Sequence, residues 1–128
     1  MTALNVYWDF VDAWVLAAIG IYERPCSLAE LIAAAEAINH EVVQEVELVT
    51  ALGKLTGSGL VRVFEGWTFE LTDDGTSLWS GGAGDLQAQL RLVEAQLSDI
   101  EPGTVVVNLS PGAFEQALEE YRGGGSQT

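Results

Sequence analysis

Ser27–His40, SLAELIAAAEAINH, and Glu47–Val61, ELVTALGKLTGSGLV, are the two stretches that decide the fold. Ser27 with Glu30 is a capping-box pattern, in which a hydroxyl and a carboxylate satisfy the free amides at a helix start. Leu28, Leu31, Ile32, Ala35 and Ile38 then recur at helical spacing, so a helix is predicted to run to about Asn39 and His40. Leu48, Ala51, Leu52 and Leu55 form the inward side of a further helix over Gln44–Thr56. Gly57-Ser58-Gly59 ends it, because glycine tolerates the left-handed geometry of a helix C-terminus.

Downstream, Leu60–Phe64 and Trp67–Leu71 are short β-branched or aromatic runs separated by Glu65-Gly66, a hairpin signal. Thr72 is placed to cap a brief helical turn through Asp73, Asp74 and Gly75. Upstream, Phe10–Tyr22 reads as a helix whose stripe Val11, Val15, Ala18 and Ile19 faces the core. It ends at Glu23-Arg24-Pro25, since the residue before proline is pushed out of the helical region. The aromatics Tyr7, Trp8, Phe10, Trp14 and Tyr22 exceed one stripe, so they either close the core against the C-terminal segment or contact another subunit.

This order resembles the bacterial winged-helix (winged helix-turn-helix) superfamily. The resemblance rests on the two stretches above and on WTFELTDDGTSL, Trp67–Leu78, and covers roughly the first 80 residues. Ala51–Val61 is similar to that family's passage from recognition helix to wing, and Leu71–Gly75 to the start of its next helix. The implied fold is α+β: a three-helix core and a β-hairpin wing in residues 1–80. The resemblance also implies a third helix that enters the DNA major groove, a wing on the phosphate backbone, and dimerisation through an added helix.

Beyond the wing, Ser80–Gly84 supplies a glycine-rich link, centred on 81–84, to a C-terminal helix-strand-helix extension over 85–122. Leu86, Leu90, Val93, Leu97 and Ile100 repeat with spacings of four and three, the seam of a helical pair. That seam serves either a homodimer or packing onto the first helix. Thr104–Leu109, TVVVNL, reads as a strand that pairs with the wing or with a second copy, because such a strand left bare is an aggregation hazard. Ser110-Pro111 opens a last helix with proline in its first position, and Gly123–Thr128 reads as a disordered tail.

Charge opposes the DNA-binding role. The chain of 128 residues carries 19 acidic side chains against five basic ones, for a formal charge of -14. Its overall field repels phosphates and anionic membranes and favours basic or apolar partners. A DNA reader needs cations for phosphates and Arg, Asn or Gln for base edges. The only candidates near the third helix and wing are Gln44, Thr50, Lys54 and Arg62, among Glu41, Glu45, Glu47, Glu65 and Glu70.

A second stripe on the third helix, Val42, Val46, Val49 and Gly53, is unexpected on a groove-binding face. It is either covered by the C-terminal segment or presented to another protein. With the acidic wing it defines the candidate partner-binding set: Val46, Val49, Gly53, Glu65, Trp67, Asp73 and Asp74.

Catalytic chemistry is sparse. A lone His40 builds no histidine relay, and its expected role is at the turn after a helix. A lone Cys26 forms no internal disulfide, which fits a reducing, cytoplasmic setting, and it reads as a small buried residue. No catalytic, cofactor or metal site is expected. Phe10–Tyr22 falls short of the roughly 20 apolar residues that span a bilayer.

Three functions follow: a non-enzymatic acidic interaction module, dimeric and without DNA affinity of its own; a winged-helix transcriptional regulator; or an acidic inhibitor or immunity-type protein that masks a basic partner.

Overall fold

The computed structural model describes residues 7–22, 24–79 and 85–126. The chain is α+β: α1 (Phe10–Gly20), β1 (Cys26–Ser27), α2 (Leu28–Asn39), α3 (Glu45–Gly57), β2 (Val61–Phe64), β3 (Thr68–Leu71), α4 (Asp73–Trp79), α5 (Leu86–Leu97) and α6 (Ala113–Ser126). The sheet is antiparallel in the order β1-β3-β2, with Val63 opposite Phe69 and Cys26 opposite Phe69 on its other side. Three helices followed by a hairpin are compatible with a winged-helix layout.

α1 is the hub. Asp9 caps it, and every residue from Asp12 to Gly20 is buried, because α2, α3, α5 and the sheet enclose it. The sequence predicts a single apolar stripe here; the difference arises because α5 covers the side that a simple three-helix core leaves open. Leu90, Val93 and Leu97 of the α5 seam are all at most 1% exposed within one chain, whereas Leu86 is 36% exposed at the helix start. The seam is therefore filled by α1. The extra aromatics also close the core internally: Trp8 Nε1 donates to the Ile100 carbonyl at 2.7 Å and Trp14 Nε1 to that of Ala35 at 2.7 Å. Tyr7 stays exposed.

The local signals are realised where hydrogen bonds define them. Ser27 Oγ accepts from the Glu30 amide at 3.1 Å, and the Glu30 carboxylate accepts from the Ser27 amide at 2.9 Å. His40 takes the left-handed conformation, φ 59°, and closes α2 with its amide on the Glu36 carbonyl. Thr72 Oγ1 accepts from the Gly75 amide at 3.1 Å and starts α4. The hairpin turn includes Trp67 as well as Glu65-Gly66, and both Gly66 and Trp67 have positive φ.

The C-terminal extension departs from expectation. Residues 101–110 form no strand and join no sheet: Gly103–Val105 lie across α3, and only Ser110 meets the hairpin turn, at Trp67. Gly53 and Gly57, one turn apart on α3, make the track. A methyl on Gly53 would sit 2.5 Å from the Val105 carbonyl oxygen, and one on Gly57 would sit 2.5 Å from the Thr104 Cα. The Val105 amide donates to the Gly53 carbonyl at 3.0 Å, and the Gly103 amide to Ser58 Oγ at 2.9 Å. Nor does Pro111 occupy the first turn of the last helix. Gly112 is left-handed at φ 80°, so α6 begins at Ala113. α6 packs on α2 and spans Ala113–Ser126. The link at 80–84, together with Gln127 and Thr128, lies outside the described residues.

Two outcomes follow. Substituting alanine for glycine in a helix ordinarily gains roughly 1 kcal/mol. Gly53→Ala is expected to destabilise instead and to speed hydrogen exchange at the Val105 amide; a stabilised variant with unchanged exchange contradicts this packing. Arg24 and the Ser27 amide bind the Glu30 carboxylate and hold its pKa at about 2, against an ordinary 4.5. A depressed acid stabilises the fold above its unfolded pKa and loses that contribution as pH falls through its folded one. The stability gap between wild type and Glu30→Gln should therefore be full above pH 4.5 and close as pH approaches 2, followed by denaturant melts across that range.

Candidate functional site

α3 presents three sides with different occupants. Leu48, Ala51, Leu52 and Leu55 point into the core and are at most 1% exposed. Gly53 and Gly57 lie under Val105 and Thr104, which removes Gly53 from the surface that the sequence offered to a partner. The open side is the N-terminal half.

Lys54 is the only lysine in the chain, and its side chain is turned inward. Its ammonium lies 2.7 Å from Asp12 Oδ2, donates to the Tyr7 carbonyl at 2.8 Å and stands 4.0 Å from Asp9 Oδ2. Lys54 is 7% exposed and Asp12 0%. Asp12 is held for this contact by the cap of α1, where its Oδ2 also accepts from the Asp9 amide at 2.8 Å. Oδ1 of Asp12 is buried without a hydrogen-bond partner among the described residues. Burial outweighs the pull of Lys54 and holds the Asp12 carboxyl above its ordinary value.

Two of the four arginines are held more loosely. Arg62 pairs with Glu70 across β2 and β3 at 3.3 Å, and Arg24 pairs with Glu30 at 2.8 Å and stacks on Tyr22. Both pairs are exposed, and such pairs contribute at most about 1 kcal/mol, so a phosphate can compete for those guanidiniums. No equivalent exchange frees Lys54, because withdrawing it strands Asp12 in the core. Of the four candidate nucleic-acid contacts, Gln44 and Thr50 are exposed without charge, Arg62 is paired and Lys54 is inside.

Of the candidate partner residues, Val46 and Val49 line one groove and Trp67 another. Val46 is 73% exposed, and with Glu45, Val49 and Thr50 it makes one wall of a groove of about 450 Å³ whose other wall is Val107, Asn108 and Leu109. Trp67 instead shares a hollow with Ser27, Ala29 and Ala117, and its Nε1 faces Ser110 Oγ at 3.4 Å. Glu65 is exposed at the hairpin turn. Asp73 and Asp74 occupy the first turn of α4, where carboxylates favour the helix dipole.

Sequence reasoning missed the 107–109 wall and the role of Asp12. The signals were present: two glycines spaced by four on one helix, and an aspartate inside an apolar run facing the chain's only lysine.

The remaining reactive groups are occupied structurally. Cys26 is fully buried opposite Phe69, and burial pushes its thiol up to about 12, far from the thiolate that nucleophilic chemistry needs. His40 is an exposed helix cap. Comparison with protein-family models, curated proteins and solved structures finds no match for the chain.

Breaking the buried pair should cost more than removing it. Asp12→Asn leaves the buried Lys54 ammonium only the exposed Asp9 carboxylate at 4.0 Å and is expected to lose about 3–5 kcal/mol, whereas Asp12→Leu with Lys54→Met should fall within about 1 kcal/mol of wild type or above it. Urea denaturation of the three proteins measures both; equal losses in the single and double variants contradict the assigned ion pair.

Proposed function

We propose that this chain is a non-enzymatic, acidic interaction module of winged-helix layout, which engages a basic protein partner through the open half of α3 and does not bind DNA by itself. The observation that carries this reading is the inward Lys54. In a winged-helix DNA reader, the outer side of the third helix meets the major groove, and its cations supply phosphate contacts. Here the single cation of α3 is spent in the core, and the outer side presents Glu45, Val46, Thr50 and the half-buried Glu47.

Phosphate contacts supply nearly all non-specific DNA affinity. With Lys54 removed from the surface and a net charge of -14, the remaining arginines face repulsion from the whole molecule. The same field speeds encounter with a cationic partner, whose charges find carboxylates around an apolar strip. The α5 seam is filled within one chain, so this reading requires no second copy.

Fluorescence anisotropy with random duplex DNA at low ionic strength tests it. No change in anisotropy up to high protein concentration is expected; retention that disappears as salt is added overturns the proposal.

A further inference from the structure

The core uses the aromatic side chains that precede α1 only in part. Trp8 is half-buried with its Nε1 on the Ile100 carbonyl at 2.7 Å, whereas Tyr7 is 69% exposed. Both line a cavity of about 490 Å³, together with Asp99, Ile100, Glu101 and Pro102 of the chain leaving α5. Neither Asp99 nor Glu101 pairs with a cation among the described residues, and no basic side chain lines the cavity. α5 ends here with Ser98 as its C-cap, which brings the negative end of its dipole to the same place. Rings, carboxylates and a helix C-terminus each favour a cation.

Arg24 shows how this chain holds a guanidinium. Its Cζ lies 5.1 Å from the centroid of the Tyr22 ring, and its Nη2 lies 2.8 Å from the Glu30 carboxylate. The cavity at Tyr7 offers the same chemistry without the arginine. We propose that it takes an arginine side chain of a partner protein, with the guanidinium stacked on the Tyr7 ring and paired with Asp99 or Glu101. A guanidinium suits both parts, because it is planar, weakly hydrated and forks onto a carboxylate, whereas a lysine ammonium is a strongly hydrated point charge.

The site is held in place before any ligand arrives. The Trp8–Ile100 hydrogen bond joins its two segments, the buried Lys54 ammonium holds the Tyr7 carbonyl at 2.8 Å, and the Asp99 and Ile100 amides donate to the Gln96 and Leu97 carbonyls. Such preorganisation lowers the cost of ordering on binding. Charge selects the occupant: a net charge of -14 attracts a cationic partner and opposes a second copy. None of the lining residues belongs to the groove beside α3, so this contact stands or falls separately from the one proposed above.

The test titrates the full chain with acetyl-Gly-Ser-Arg-Ser-Gly-amide, and with the same peptide carrying lysine or citrulline in place of arginine, while the Tyr7 ring and Trp8 indole N–H resonances are followed by NMR. The arginine peptide should shift both signals to saturation, the lysine peptide should bind about threefold or more weakly, and the uncharged citrulline peptide should leave them in place. Tyr7→Leu should weaken the arginine peptide by about twofold to fivefold, and Tyr7→Phe, which keeps the ring, should not. Asp99→Asn with Glu101→Gln should weaken it by about tenfold. Glu115→Gln with Glu119→Gln removes the same charge from exposed positions on α6 and should change affinity by less than about twofold. Equal affinities for the arginine and lysine peptides, or equal losses in the two charge-reduced proteins, leave only the attraction of the whole molecule and overturn the site. Tyr7 and Trp8 signals that stay in place with every peptide overturn it as well. Tyr7 signals that move with protein concentration before peptide is added assign the cavity to a second copy and overturn the arginine.

Discussion

Lys54 on α3 and Asp12 on α1 meet at 2.7 Å inside the core, and this contact fixes both the internal order of the protein and its outward character. A buried charge must be paired, so neither helix can rotate or slide without stranding its partner. The Asp9 cap holds Asp12, Asp12 holds Lys54, and Lys54 reaches the Tyr7 carbonyl, so the chain entering α1 is tied to the middle of α3. The same contact withdraws the one positive charge that α3 possesses. Carboxylates and valines are left on its open side, and the helix that a DNA reader would present to phosphate is anionic.

α1 is enclosed on all sides, which requires more covering helix than a three-helix core provides, and α5 supplies it. The segment after α5 then returns across α3, where Gly53 and Gly57 allow backbone to lie on backbone. This route covers the C-terminal half of the valine stripe and leaves the N-terminal half bare. The groove is a result of that path: the segment that roofs Gly53 with Thr104 and Val105 continues into Val107–Leu109, the wall opposite Val46.

Much of the fold was legible because its signals are local. The Ser27–Glu30 box, the αL turn at His40, the glycine stop after α3 and the Thr72 cap each depend on residues within four positions of one another, and each is present. The errors concern long-range choices. The β-branched run TVVVNL suits a sheet, but its Thr104 and Val105 are seated on the glycines of α3. Pro111 suits a first helical turn, but Gly112 reverses the chain first. The α5 seam reads equally as a dimer contact or an internal one, and Leu90, Val93 and Leu97 are buried within one chain.

The candidate site was half legible. Val46 and Val49 stand out at helical spacing, whereas their opposing wall comes from residues about 60 positions away, and no periodicity announces a pairing of that separation. Charge counting argued against a basic face without locating Lys54; only the fold shows that Lys54 is internal. The most direct measurement is the acylation rate of Lys54 by an amine-reactive ester, followed by peptide mass spectrometry on native and denatured protein. Lys54 is expected to be labelled slowly in the native state and at the rate of a free lysine after denaturation; rapid native labelling would contradict its burial against Asp12.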